Sequence, residues 1–499
     1  MKKLLGSLKK LDNNLIKILL SVFILFIPLW PKIPIKMINY TYIAFRYDDV
    51  FLAFLVLVFF IQLIRKKIIL NRTLLIPILL FWLSVFISFF SGLYLTKTIE
   101  FSHLGLLHSL RRVEYMIVFF IASSVIKNKK DFFYFLNVFF LGVFLTCLYG
   151  LGQKFLNFPA VQTMNPEFAK GYLLYLTPEA RISSTFAGHY DLASYLVFSM
   201  PIILASYFFF RKRNYLLLFI LSLIILIYTS SRISFGAYIV SIIGFLIYIR
   251  KYKFTIFITL LTIMLMLTTG ELTKRFLKTF QIRTILVDEK TGAVYIGQKI
   301  TTKELPAGSF YIKLKDQNKV QNIDAFKNIV IEEKIKQATL SGNIQETDKE
   351  KLIATLSANL KPVNTVVSDI SFSTRLQIEW PRAINAFKKN PFLGTGPSSI
   401  TEATDNDYLR WLGEFGLLGT SIFLVIIFQL FKKSFVFVNF LKKNISQNKL
   451  LNLGFAFGLI GLMFNATYID VFEASKVAYS FWIVTGLFIS YLSIRNEKT

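Results

Sequence analysis

Tyr190–Gly270 reads YDLASYLVFSMPIILASYFFFRKRNYLLLFILSLIILIYTSSRISFGAYIVSIIGFLIYIRKYKFTIFITLLTIMLMLTTG. Four apolar runs follow one another here, near 190–210, 214–230, 233–249 and 254–270. They are divided by Arg211-Lys212-Arg213, by the short turn carrying Arg232, and by Arg250-Lys251 with Lys253. A helix rises about 1.5 Å per residue, so about 20 apolar residues cross the hydrocarbon core of a bilayer. Each run is close to that length, and the charges gather between the runs. The stretch therefore predicts membrane-crossing helices.

Working outward, the same pattern recurs. The chain has 499 residues, of which 54% are hydrophobic and 53 are Phe, so helices of this kind account for most of it. Eight further runs are expected near 13–31, 48–64, 73–95, 110–126, 131–152, 412–431, 451–469 and 477–494. The fold class is thus an all-α polytopic membrane protein of about twelve transmembrane helices. The net charge of +28 lies in short clusters flanking the runs, such as Arg65-Lys66-Lys67, Lys129-Lys130 and Lys432-Lys433. Basic residues mark the cytoplasmic side of membrane helices. With both termini inside, every second loop is cytoplasmic and basic. This pattern argues against nucleic acid as a partner. Cys147 is the only cysteine, so no cysteine metal cluster is expected. There is no HExxH and no GxxxxGK[ST] motif, so neither a metal nor a nucleotide cofactor is expected.

The orientation puts 271–411 outside, between the bundles 1–270 and 412–499. It is too polar to span and too long for an ordinary connection, which points to function. Residues 283–360 read as an inserted α+β module. TILVDEKTGAVYIG resembles two strands joined through Lys290-Thr291-Gly292, SFYIKLK alternates like another strand, and a charged helical pattern follows from Asp324.

The segment 371–411 and its continuation to Gly419 hold the residues suited to chemistry. Arginine offers a planar, permanently charged fork that matches phosphate oxygens. Candidate anion-binding residues are Arg375 and Arg382 here, with Arg181, Arg232, Arg111 and Arg112 at other outward span ends. Ser183, Ser184 and Thr185 stand beside Arg181 as hydroxyl donors. Gly394-Thr395-Gly396 allows backbone amides to approach a ligand. Asp405, Asn406, Asp407 and Glu414 are the candidate catalytic groups, since a partly desolvated carboxylate acquires a pKa suited to a general base. Asp405 also suits the cap of a helix beginning near Tyr408.

Three landmarks, RISSTFAGHYDLASYLVFSMP at 181–201, SSRISFGAY at 230–238, and Pro391-Phe392-Leu393-Gly394-Thr395-Gly396, resemble the O-antigen ligase/polymerase family of bacterial membrane glycosyltransferases. The ligase signature of histidine, amide, nine residues and Gly-x-x-Gly keeps its spacing in Asp405-Asn406 and Gly416-Leu417-Leu418-Gly419, with Asp405 where ligases carry histidine. This departure points to a polymerase-like member. The resemblance implies an undecaprenyl diphosphate-type, lipid-linked glycan donor, a glycan acceptor, membrane lipids as surroundings and a chain-length regulator as a further candidate partner. It also implies an outward-facing site in the bacterial cytoplasmic membrane, serving cell-envelope polysaccharide biosynthesis. Two alternatives are a ligase moving a finished glycan onto a lipid or protein, and a transporter of lipid-linked sugars. Polar groups gathered at one face favour an enzyme over a transporter.

Overall fold

The computed structural model describes residues 2–38, 44–162, 171–178, 180–277, 280–288, 294–295, 359–368, 374–400, 403–435 and 447–496, with a few isolated positions between 328 and 353. The chain divides into two compact units, residues 1–275 with 373–499, and residues 276–372.

The first unit is helical. Its elements are α1 (Lys2–Leu29), α2 (Tyr47–Ile64), α3 (Leu75–Phe90), α4 (Ser102–Val125), α5 (Lys129–Phe155), α6 (His189–Phe210), α7 (Arg213–Tyr228), α8 (Arg232–Tyr248), α9 (Tyr252–Thr269), α10 (Glu271–Leu277), α11 (Trp380–Lys389), α12 (Asp407–Ser434), α13 (Gln447–Asn465) and α14 (Ser475–Asn496). A small antiparallel hairpin, β1 (Pro34–Met37) and β2 (Ala44–Arg46), joins α1 to α2 and sets Pro34 opposite Arg46.

Every expected span falls on a helix, and among the described residues eight helices are long and apolar enough to cross a membrane. Three more, α7, α8 and residues Lys449–Asn465 of α13, are apolar but shorter. The remaining expected span, 110–126, belongs to α4. This helix begins eight residues earlier, at Ser102, and carries Arg111, Arg112 and Glu114 within its length. Those charges keep α4 out of the apolar set, and ion pairs to other helices allow it to be buried.

Burial orders the helices. In α6 and α14, 83% of the apolar window is buried, against 11% in α9. The first two form the centre of the bundle, and α9 is left with apolar side chains outward, as a lipid-facing helix requires. Without a water-driven hydrophobic effect between membrane helices, close packing of small residues becomes important. Along α13, a Cβ at Gly454 would lie 2.4 Å from Ala205 Cβ, and one at Gly458 would lie 2.6 Å from the Phe198 carbonyl oxygen, so α13 presses directly on α6.

The second unit contains an antiparallel sheet in the order β4-β3-β5. Strand β3 (Phe280–Asp288) pairs along its whole length with β5 (Leu360–Ser368), from Phe280 opposite Ser368 to Asp288 opposite Leu360. It also turns back on β4 (Val294–Tyr295). The expected strand over SFYIKLK lies outside the described residues, as does most of the helical pattern after Asp324.

Candidate active site

Three chain segments of the first unit converge where α12 begins. One is the wide, π-type turn Arg375–Glu379 ahead of α11, another is the loop 403–406, and the third is the turn between α13 and α14. Asp470 ties the last two together. Its carboxylate accepts the backbone N–H groups of Thr404, Asp405 and Asn406 at 2.9, 3.1 and 3.0 Å. It also accepts Arg410 Nη1 at 2.9 Å. Wrapping three successive amides around one carboxylate holds Asp405 at φ +50°, a left-handed conformation that aspartate tolerates better than most residues.

That conformation turns the Asp405 side chain towards Arg375, with which it forms an ion pair. The Arg375 side chain is almost wholly buried, whereas that of Asp405 remains 27% exposed. The guanidinium carbon lies 4.3 Å from the Tyr468 ring centroid and 5.8 Å from that of Tyr190, so two aromatic faces help to hold the charge. His189 packs against the Tyr190 ring at 4.0 Å, and Arg181 Nη1 donates to His189 Nε2 at 2.5 Å. Arg181 and Arg375 thus both stand within electrostatic reach of the same imidazole. Burial lifts the Asp405 carboxyl to about 6 despite the opposing pull of Arg375. Burial, with the nearby Asp405 charge, lifts Glu379 to about 7. Glu379 Oε2 is buried without a hydrogen-bond partner. Two carboxyl groups and a buried arginine therefore share one place, an arrangement able to receive both an anion and a proton.

The neighbouring candidates are engaged differently. Asn406, rather than Asp405, caps α12. Its side-chain oxygen accepts the Leu409 N–H at 3.0 Å, and its amide donates to the Thr467 carbonyl at 2.9 Å. Asp407 is buried and accepts the N–H groups of Val471 and Phe472 at 2.8 and 3.2 Å. Glu414 is fully buried between Arg112 Nη2 at 3.3 Å and Arg410 Nε at 3.5 Å, and Arg112 Nη2 also lies 2.5 Å from Glu473. Arg111 pairs with Asp49 at 2.9 Å and Glu114 at 3.5 Å. Arg382 is exposed on α11. Arg232 opens α8, and its Nη1 donates to the Arg275 carbonyl at 3.4 Å. The structure thus brings Arg181, Arg375 and Asp405 together around His189 and Tyr190. It ties Arg112, Asn406, Asp407 and Glu414 into the scaffold beneath.

The glycine motif also serves the scaffold. Helix α12 breaks at Gly416, where φ is 62° and ψ −165°. The Pro391–Gly396 loop restores the hydrogen bonds lost there. Thr395 and Gly396 donate their N–H groups to the carbonyls of Gly413 and Glu414, both at 2.9 Å. Leu417 and Leu418 donate theirs to the carbonyls of Pro391 and Phe392 at 2.8 and 3.1 Å. A Cβ at Gly394 would stand 2.4 Å from the Glu414 carbonyl oxygen, so the two backbones touch. Of the amides expected to cradle a ligand, those of Thr395 and Gly396 are consumed by α12 and that of Gly394 by the Asn390 carbonyl at 2.8 Å. Two of the hydroxyls beside Arg181 are likewise occupied, since Ser184 donates to the Thr146 carbonyl and Thr185 to the Pro28 carbonyl, while the Ser183 hydroxyl is buried without a hydrogen-bond partner.

His189, Tyr190, Glu379, Arg410, Tyr468 and Asp470 are the site residues that the sequence did not single out. Asp470, with Glu473 in the short connection between two apolar runs, was the available signal, because a carboxylate at a span end requires partners.

No curated protein matches the chain. Residues 217–424, from α7 past the Gly416 break, match the family described as O-antigen ligase, and this segment contains Arg232, Arg375, Arg382 and Asp405 to Glu414. By this match the segment 217–424 is similar to the O-antigen ligase family.

Proposed function

We propose that the protein polymerises polyprenyl-diphosphate-linked oligosaccharide repeats on the outer face of the cytoplasmic membrane, with Arg375 and Asp405 at the centre of the chemistry. The observation that carries this reading is their ion pair, in which a nearly buried cation meets a partly exposed, partly desolvated carboxylate. In the resting state each neutralises the other. A donor diphosphate competes for the Arg375 guanidinium, and Arg181, hydrogen-bonded to His189, adds positive charge nearby. Asp405 then loses its cationic partner, which raises its proton affinity as the acceptor hydroxyl arrives. The hydroxyl oxygen attacks the anomeric carbon, the bond from that carbon to the diphosphate oxygen breaks, and the hydroxyl proton passes to Asp405. The leaving diphosphate carries the growing negative charge, which the arginines stabilise. Glu379, one turn from Arg375, is placed to receive the proton onward. Arg232 joins this proposal as a further contact for the lipid diphosphate.

The family's description favours a second reading, a ligase that transfers a finished glycan once. The length of the product separates the two. The test is polymerisation of lipid-linked repeats by purified, folded variants. Arg375→Ala is expected to slow turnover by about 10²–10³, and Asp405→Asn by about 10²–10⁴ with donor binding retained. Normal chain formation by both variants would overturn the assignment. A product carrying one transferred glycan and no longer chains would establish the ligase reading.

A further inference from the structure

A second group of buried cations lies at the base of the β1–β2 hairpin, and the proposed reaction does not use it. Lys32 follows the end of α1 and is only 8% exposed, and Arg46 ends β2 and is 7% exposed. The register that sets Pro34 opposite Arg46 brings these two chain segments together. Lys476, at the start of α14, is 3% exposed, and its ammonium donates to the carbonyls of Pro28 and Thr185 at 3.1 and 2.7 Å. Among the described residues none of the three cations forms an ion pair with a carboxylate, and Arg46 Nε is buried without a hydrogen-bond partner. The three stand within electrostatic reach of one another. Buried Asp48 and half-buried Asp191 stand within electrostatic reach of the same group, so two carboxylates face three cations, and a further anion is needed to balance the remaining positive charge.

The surroundings indicate what kind of anion. Trp30 stacks on Phe26 at 5.3 Å and meets Tyr47 edge-on at 5.7 Å. Both Trp30 and Tyr47 are exposed, as aromatic side chains at a membrane–water boundary are. Ile18, Val22, Phe54 and Leu57 leave the faces of α1 and α2 below them apolar and open. An anion reaching Lys32 here arrives beside a surface fit for a prenyl chain. Asp191 stands between the two cationic groups, within electrostatic reach of Lys32 and Lys476 on one side and of Asp405 on the other.

We propose that Lys32 and Arg46, backed by Lys476, form a second anion subsite that holds the diphosphate head of a second lipid-linked glycan, the acceptor. This rests on the reading of the chain as a glycan polymerase, whose two substrates both carry a lipid diphosphate. A ligase whose acceptor is a protein has no such requirement.

Titration of the full-length protein in neutral-lipid nanodiscs with farnesyl diphosphate tests it by calorimetry. Two binding events are expected. Joint Lys32→Gln and Arg46→Gln substitution weakens one by about tenfold or more, and Arg375→Ala weakens the other. Lys32→Arg retains both. If the double variant fails to fold, Lys32→Gln alone, compared with Lys32→Arg, reads the same event. Two intact events after loss of Lys32 and Arg46 would overturn the second subsite and leave the Arg375 site standing. If Arg375→Ala changes neither event while the double variant loses one, the donor assignment fails instead. Saturation of the Lys32 event by phosphatidylglycerol alone would assign the subsite to bulk lipid and overturn its role with substrate.

Discussion

Two charged regions lie within one turn of each other at the head of α12, and they are built from the same residue types. In one, Arg112, Arg410, Glu414, Asp470 and Glu473 form a buried ion-pair network joined to the adjoining backbone, with Arg112 Nε and Nη1 left without hydrogen bonds. In the other, Arg375 meets Asp405 at a partly exposed edge, with tyrosine faces around the cation. The first region is closed: its carboxylates hold loops and helix ends, and their partners are internal. The second leaves an acid group that a substrate can reach. Charge alone therefore does not separate scaffold from chemistry at the end of a membrane helix; the identity and accessibility of the partners do.

The largest expected effect breaks the closed region. Asp470→Ala leaves three amides of the 404–406 loop and Arg410 without their acceptor. Removing one member of a buried ion pair typically costs about 3–5 kcal/mol. Thermal unfolding in detergent is expected to show a marked drop in midpoint, with turnover lost because Asp405 is no longer held. A variant with the wild-type midpoint would mean that the two regions are not mechanically linked.

The next effect sharpens the contrast through pH. Because Asp405 acts as a base with its carboxyl at about 6 in the free protein, kcat/KM is expected to rise as the pH passes upward through that value and to level off above it, with the break in kcat at higher pH because the bound donor takes Arg375 away. The same raised value makes ionised Asp405 a stability cost at neutral pH, one regained as the pH falls from about 6 towards the ordinary aspartate range. A rate independent of pH between 5 and 8 would move the base away from Asp405 and Glu379. A smaller effect concerns Asn406. Asn406→Ala removes the α12 cap and is expected to lower stability by about 1 kcal/mol, read as a modest fall in midpoint with turnover per folded molecule retained. The smallest is Arg382→Ala, which changes an exposed side chain. It is expected to alter turnover less than about twofold, since exposed charges contribute little. A loss comparable to that of Arg375→Ala would place Arg382 within the site.

These contrasts also explain what the sequence could reveal. Apolar runs declare helices locally, so α5, α6, α12 and α14 were legible from composition and length. The exception, α4, was expected to start at 110 because its charges resemble a loop; its ion pairs to α2 and α12 are long-range and leave no local trace. The cluster 405–407 was legible as a place but not as a division of labour. Which of three adjacent polar residues caps the helix, anchors the next turn or faces outward depends on Asp470, more than 60 positions away. The glycines of 394–396 suggested a ligand cradle because glycine signals close approach without naming the partner, and the partner is the broken backbone at Gly413–Gly416. His189 and Tyr468 reach the site from α6 and from the turn after α13, so no spacing within 371–419 could supply them.

The most direct measurement compares Asp405→Asn with Asp407→Asn, two positions apart, in turnover of lipid-linked repeats and in thermal midpoint. The account predicts that Asp405→Asn loses at least about 100-fold in turnover while its midpoint at neutral pH stays level or rises, and that Asp407→Asn lowers the midpoint through weakened acceptance of the Val471 and Phe472 amides. Full turnover by folded Asp405→Asn protein would contradict it.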